Sequence, residues 1–444
     1  MNSPHRISIL TSLALFISVA LNAAVVPQAA IKEMIAKENA SLVDLYKHFH
    51  ATPELSFRET KSAERIASEL KLAGFEVTTK VGGHGVVAVM RNGRGPTVLV
   101  RADLDGLPVK EETGLPYASK HTMLDEAGNL VSTMHACGHD AHMACLIGTA
   151  RMLSRLKENW QGTLVMIGQP AEERGGGAKA MLEDGLYKRF PVPDYGLALH
   201  VAADLPTGTI GYVEGFAMAN VDSVDIIVRG IGGHGAQPQS AKDPIVLSAQ
   251  IILALQTIRS REIHPLEPAV VTVGSIHGGT KHNIISDEVR MQLTLRSYND
   301  EVRKQMIDAI SRITRGLGQA AGLPDDKLPI VELKNEHTPA AYNDPKLAKR
   351  ARAVFEEWLG PGTVLDRKPS MGGEDFGQFG RTEHKVPVFL FFVGSINSAR
   401  FKESLRLGKA LPSAHSSRYA PDPDPTIKTG VTAMTAAVLE LMRR

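Results

Sequence analysis

The chain has 444 residues, too many for one ordinary hydrophobic core, so two domains are expected. With 43% hydrophobic and 22% charged residues, it is neither disordered nor fibrous. Lys+Arg total 50 against 48 Asp+Glu, which leaves no basic excess to drive nucleic-acid binding, while the 16 His direct attention to metal sites.

In chain order, Met1 to Arg6 carry positive charge, and residues 7–21 form an apolar run broken only by Ser and Thr. Ala23 and Ala24 then offer small residues for cleavage. This pattern predicts a signal peptide over 1–24 and a secreted or periplasmic protein. The run is short for a membrane span, so no membrane association is expected once it is removed.

Residues 28–73 predict helix, with Ile31, Met34, Ile35, Leu42, Leu45 and Phe49 at helical spacing and a stop at Gly74. Strands are predicted at 75–81, 86–90, 97–101, 163–167 and 195–200, with an apolar helix at 140–156. Strands alternating with helices imply a mostly parallel α/β sheet. The pattern changes over 220–333, where strand 221–229, helix 244–259, strands 269–276 and 289–298, helix 300–316 and strand 330–333 spell a ferredoxin-like α+β unit. The α/β character returns with helix 346–358, strand 388–393 and helix 427–443. The expected organisation is therefore a domain made of 28–219 and 334–444, with 220–333 inserted into it.

Four clusters carry chemistry. His135-Ala-Cys137-Gly-His139-Asp140-Ala-His142 precedes the helix at 140–156, and a thiolate and an imidazole two residues apart around a Gly suit zinc or a similar cation. Glu172 and Glu173 follow a buried strand, where adjacent carboxylates repel unless something positive is near. One could bind an ion while the other takes a proton from water. Asp103 and Asp105 follow another strand, and ligands gather at the carboxyl ends of strands in open α/β sheets. In the inserted unit, glycines surround His234, and Asn283 and Arg296 follow. Arg296 could grip a carboxylate, although a loop His and a sheet-surface Arg are equally plain readings of these residues taken singly. Cys137 and Cys145, two helical turns apart, are not expected to pair.

Taken together, these motifs resemble the M20-type metallopeptidases, in the subgroup of N-acyl-amino-acid amidohydrolases that includes hippurate hydrolases and indole-acetyl-amino-acid hydrolases. The resemblance runs from about residue 30 to the C-terminus. It rests on Arg101-Ala-Asp-x-Asp105, His135-Ala-Cys-Gly-His-Asp140, Pro170-Ala-Glu-Glu173, Gly232-Gly-His-Gly-Ala236, the Asn283 and Arg296 pair, and Gly372-Gly-Glu-Asp-Phe376, in that order. It implies a zinc-peptidase-like α/β catalytic domain with an inserted ferredoxin-like dimerisation or lid domain, and a homodimer formed through that insert. It implies two divalent metal ions, zinc or alternatively manganese, cobalt or nickel, held by Cys137, His139, Glu173, His200 and His415, with Cys137 bridging them. Glu172 would be the general base, and Asp105 would orient the site. His234 would stabilise the oxyanion, often from the partner subunit, and Asn283 and Arg296 would bind the substrate's carboxylate or carbonyl.

Two positions depart from the family pattern. Gln239 stands where a His is common, and Ser416-Ser417 follows the last metal His. The implied activity is hydrolysis of small N-acyl amino acids. A carboxypeptidase or dipeptidase, or a binding protein on an inactive scaffold, remain the alternatives.

Overall fold

The computed structural model describes residues 25–443, so the expected signal peptide lies outside the described residues. No helix among the described residues is long and apolar enough to cross a membrane.

The first two helices are α1 (Gln28–Ala51) and α2 (Thr60–Leu72). The single helix expected over 28–73 is thus broken at 52–59. Pro53 disfavours helical backbone at the residue before it. Buried Glu54 then accepts hydrogen bonds from the N–H groups of Lys61 (3.1 Å) and Ser62 (2.8 Å), satisfying the first turn of α2. The chain continues through β1 (Glu76–Val81), β2 (Gly85–Asn92), β3 (Thr97–Asp103), α3 (His139–Arg155), β4 (Gly162–Gln169), β5 (Tyr195–Pro206) and β6 (Ile210–Tyr212). The inserted segment supplies β7 (Asn220–Arg229), α4 (Pro244–Thr257), β8 (Ala269–Gly278), β9 (Glu288–Ser297), α5 (Asp300–Ala320) and β10 (Ile330–Leu333). Then come α6 (Pro345–Leu359), β11 (Val364–Asp366), β12 (Val388–Ile396), α7 (Ser398–Leu407) and α8 (Pro423–Leu441).

Eight strands form the large sheet in the order β1-β2-β4-β3-β5-β12-β6-β11. It is mixed, with four parallel pairings, β6 with β11 among them, and three antiparallel ones. The centre β4-β3-β5-β12 is parallel, but β1, β2 and β4 pair antiparallel, as do β12 and β6. For β1 and β2 the cause is local: they are joined by a tight turn, which only antiparallel neighbours can use. Both faces are covered. On β12, Phe389, Phe391 and Val393 pack with the core of α1, α3 and α8, while Val388, Leu390 and Phe392 pack with Phe376 and Phe379 on the other side. A strand buried on both faces reads as a continuous apolar run, which is why β12 was legible in the sequence.

The second sheet has the order β8-β9-β7-β10, entirely antiparallel, as expected of a ferredoxin-like unit. Val224, Ile226 and Val228 alternate on its buried face and pack against Leu247, Ile251 and Leu255 of α4 and Met306 and Ile310 of α5. The fold is therefore α/β with an inserted ferredoxin-like α+β unit.

Candidate metal centre

The site lies where the ends of β3 and β4, the start of α3, the middle of β5 and the loop after α7 meet. Gly138 opens α3 with a left-handed φ of 87°, and a Cβ there would fall 2.4 Å from Val201 Cγ2. Only glycine allows this tight entry, which turns Cys137 and His139 toward one point. His139 Nδ1 donates to the backbone carbonyl of Asp105 at 2.8 Å, so Nε2 faces the cavity. His200 is held in the same way, with Nδ1 bonded to the Val201 carbonyl at 2.7 Å and Nε2 lying 3.4 Å from Cys137 Sγ. The strand expected at 195–200 would end at His200; β5 runs on to Pro206, and His200 projects from within it. His415 has a left-handed φ of 68°, unusual for a non-glycine residue, and its N–H bonds to the Ala136 carbonyl at 2.8 Å. That bond ties the loop to the Cys137 turn, and His415 Nε2 lies 3.5 Å from Glu173 Oε2.

All five expected ligands thus converge. The donor atoms of Cys137, His139 and His200 lie within 4.8 Å of one another, and so do those of Cys137, Glu173 and His415. The thiol sulfur is common to both groups. Buried His139 Nε2 and Glu173 Oε1 have no hydrogen-bond partner, which is costly unless something else satisfies them. The electrostatics point the same way. Burial, then the Glu173 and Glu172 carboxylates, pushes the Cys137 thiol well above its ordinary range. Burial raises Glu173 to about 7, against the pull of His139. Burial disfavours a charged His139, but Asp103 and Asp105 outweigh it and raise the imidazole to about 10. A buried pocket this rich in acids calls for positive charge, and soft and borderline donors suit divalent cations.

Glu172 sits beside these groups in a buried position, and its carboxyl is pushed well above the usual range by burial, Glu374 and Glu173, with Arg101 pulling it down. Asp105 holds the acidic turn. Its carboxylate accepts from the N–H groups of Glu172 (3.2 Å) and Glu173 (3.0 Å), and from Ser56 Oγ (2.6 Å). A cavity of about 540 Å³ opens over the cluster, lined by Cys137, Glu172, Glu173, His200, His415 and Arg296.

Of the three lid residues, only Arg296 reaches this cavity. It projects from β9, with Nε donating to Thr294 Oγ1 at 3.0 Å. His234 and Asn283 are brought together elsewhere on the insert: Gly235 N–H bonds to the Asn283 carbonyl at 2.9 Å, and both side chains are exposed. Neither lines the cavity of its own chain. Both are therefore exposed on the insert and away from this cavity, as a residue offered to a partner subunit would be.

Two histidines of the 135–142 cluster are not oriented as ligands. His142 Nδ1 donates to Asp103 at 2.6 Å and its Nε2 accepts the Val201 N–H at 2.9 Å, so both nitrogens are used. His135 is fully buried, burial lowers its pKa to about 4, and it belongs to none of the converging donor groups among the described residues. Cys145 is a free buried thiol, as is Cys137.

Sequence reasoning gave no role to a buried network behind the site. Arg101, wholly buried, bonds to Asp103 (2.7 Å), Glu374 (2.9 Å) and Asp375 (3.1 Å), and its Nε donates to Gln169 Oε1 (2.9 Å). Asp103 Oδ2 is in turn 3.6 Å from His139 Nε2, and Glu374 lines the cavity. The available signal was an Arg between Val100 and Ala102 in an apolar strand, since a buried guanidinium requires buried carboxylates.

Residues 99–414 match the model of peptidase family M20/M25/M40. The chain is 35% identical over 396 residues to "Thermostable carboxypeptidase 1" of Saccharolobus solfataricus, covering 88% of this chain and 93% of that one. It is 38% identical over 346 residues to "Hippurate hydrolase" of Campylobacter jejuni, covering 77% and 85% respectively. The structure superposes with a TM-score of 0.72 on a dinuclear metal-binding peptidase of the M20 family from Bacillus subtilis, at 29% identity, covering 91% of this chain and 98% of that one. The chain therefore belongs to peptidase family M20/M25/M40.

Proposed function

We propose that this chain is a two-metal amidohydrolase that cleaves the amide bond of N-acyl amino acids, releasing a carboxylic acid and a free amino acid. The observation that carries the reading is Glu172: a buried carboxyl beside five converging donor groups and not needed to complete either donor set. Cys137, His139, Glu173, His200 and His415 would hold two divalent cations, zinc by the softness of the thiolate and imidazole donors. When bound, the cations supply polarisation of the scissile carbonyl and bring a water's pKa toward neutrality.

Glu172 takes the proton of the attacking water and delivers it to the leaving nitrogen. Asp105 and the buried Arg101 network keep the acidic turn and His139 in place. Arg296 pairs with the substrate's carboxylate across the cavity. The partner subunit's His234 stabilises the tetrahedral oxyanion, with Asn283 beside it, in a homodimer formed through the insert. Exposed Ile245, Val246 and Leu253 on α4, and Ile276 on the edge strand β8, support that interface. Such an apolar face next to an unpaired strand edge is otherwise an aggregation hazard. The pattern of residues 1–24 supports export to the periplasm or the outside of the cell.

A turnover screen of N-acetyl and N-benzoyl amino acids against dipeptides, with zinc, manganese, cobalt and nickel in turn, tests the reading. N-acyl amino acids should be the better substrates. Turnover of dipeptides alone would favour a dipeptidase, and no turnover with any metal would contradict an enzyme.

A further inference from the structure

Resting on that proposed function, the structure assigns a second, apolar compartment to the substrate site: we infer that the groove between α7, β12 and the His415 loop receives a large apolar acyl group. The groove encloses about 630 Å³. It shares His200, Ser370 and Ala414 with the cavity above the cation ligands, so the two spaces adjoin at His200, one of the five donors. Its lining is apolar in character, with Phe392 from β12, Phe401 and Leu405 from α7, and Leu411 from the loop leading to His415.

Three observations give the groove its occupant. The first is direction. Arg296 lies on the lid side of the cation cavity, and an amino-acid carboxylate paired there places the acyl group of the same amide on the far side of the scissile carbonyl. His200 and Ala414 belong to the catalytic domain, opposite the insert that carries Arg296 in the chain's organisation, and they line both the cavity and the groove. The second is charge. Arg367 at the rim is bound by both oxygens of Asp204 (2.8 and 3.0 Å) and lies 4.6 Å from the centre of the Phe392 ring. Its charge is spent on that pair and that ring, so the groove has no free cation for an acidic group. The third is the state of α7. This ten-residue helix buries none of its side chains fully, and Leu405 is 69% exposed. Its N-terminus is capped by Asn397, whose side chain accepts from the N–H groups of Ala399 and Arg400. A capped helix that contributes little to the core but lines the groove with Phe401 and Leu405 is suited to cover an aryl or medium alkyl chain.

The test compares kcat/KM for N-acetyl, N-benzoyl and N-octanoyl derivatives of one amino acid, using the metal-loaded full-length enzyme. The wild type should favour benzoyl and octanoyl over acetyl by at least about tenfold, since a hydrophobic pocket discriminates on that scale. Leu405→Asp should lower the octanoyl-to-acetyl ratio at least about fivefold, and Phe401→Ala should lower the benzoyl-to-acetyl ratio in the same direction, both through KM. Leu72→Asp, on an exposed position of α2, serves as the control and should not move either ratio. Varying the amino acid at fixed acyl group should leave the effect of Leu405→Asp the same. A wild type that prefers acetyl, or ratios that Leu405→Asp and Phe401→Ala leave within twofold, would overturn the groove while leaving the hydrolase reading intact. Failure to turn over any N-acyl amino acid would overturn both.

Discussion

Asp105 holds His139 by its backbone and Glu173 by its side chain. The Asp105 carbonyl takes the imidazole Nδ1–H at 2.8 Å, and its carboxylate takes the Glu173 N–H at 3.0 Å. One buried residue therefore aims two of the five donors that face the cavity. Because the carbonyl bond survives a side-chain change, Asp105→Ala should loosen the Glu172-Glu173 turn more than it loosens His139. Metal affinity should fall about 10- to 100-fold, measured by competition with a chelating dye. Unchanged affinity would show that the turn is held by other means.

Glu172 is assigned proton transfer and not cation binding. Glu172→Ala should keep its metal content and lose at least about a hundredfold in kcat. His234→Ala should also keep its metals and be slow, because it removes an oxyanion donor worth roughly 2.7–4 kcal/mol. His234 is exposed and absent from the cavity of its own chain. Mixed dimers of the two inactive variants should therefore regain activity, since one of the two sites would then hold an intact Glu172 and an intact His234 from the other chain. No recovery on mixing would rule out the cross-subunit role.

Arg296 lines the cavity over the donor cluster. Arg296→Ala should raise KM for an N-acyl amino acid at least about tenfold, the scale of one lost charge-assisted bond. The matching N-acyl amino-acid amide has no carboxylate to lose, so wild type and variant should process it with similar KM. Equal effects on both substrates would place Arg296 outside carboxylate recognition.

A buried His links α1 to the site's scaffold. His50 Nδ1 lies 2.6 Å from Asp140 and Nε2 lies 3.0 Å from Glu111, with the Tyr46 and Tyr117 rings packed at 5.4 and 5.2 Å. Burial alone would lower its pKa, but the two carboxylates outweigh it and raise it to about 9. Folding therefore favours the protonated form. The stabilisation is fully present below the ordinary value of about 6.5 and fades as pH rises through about 9, at most roughly 3 kcal/mol in all. The difference in Tm between wild type and His50→Gln should shrink between about pH 7 and about pH 10. A difference that stays constant over that range would mean that His50 is neutral in the folded protein.

Local patterns made much of this legible. Apolar runs such as 163–167 and 388–393 marked the central strands, because strands covered on both faces have no polar positions. The Cys-Gly-His and Glu-Glu spacings marked donors close together in the chain. What could not be read was the meeting of residues far apart in sequence. Nothing near Arg101 announces Glu374 and Asp375, more than 270 residues later, as its partners. The same limit applied to His142, which looks like a metal ligand in sequence and is consumed by Asp103 and the Val201 N–H in space. It applied again to His234 and Asn283, whose loops pair with each other on the lid's surface and away from the cavity.

The central claim is that two cations sit among Cys137, His139, Glu173, His200 and His415. The direct measurement is elemental analysis of the purified full-length protein, joined to anomalous diffraction from zinc-loaded crystals. The account predicts two equivalents per chain and two anomalous peaks flanking the Cys137 sulfur, both lost in Cys137→Ala. A chain that binds no cation, or one whose peaks lie away from Cys137, would contradict it.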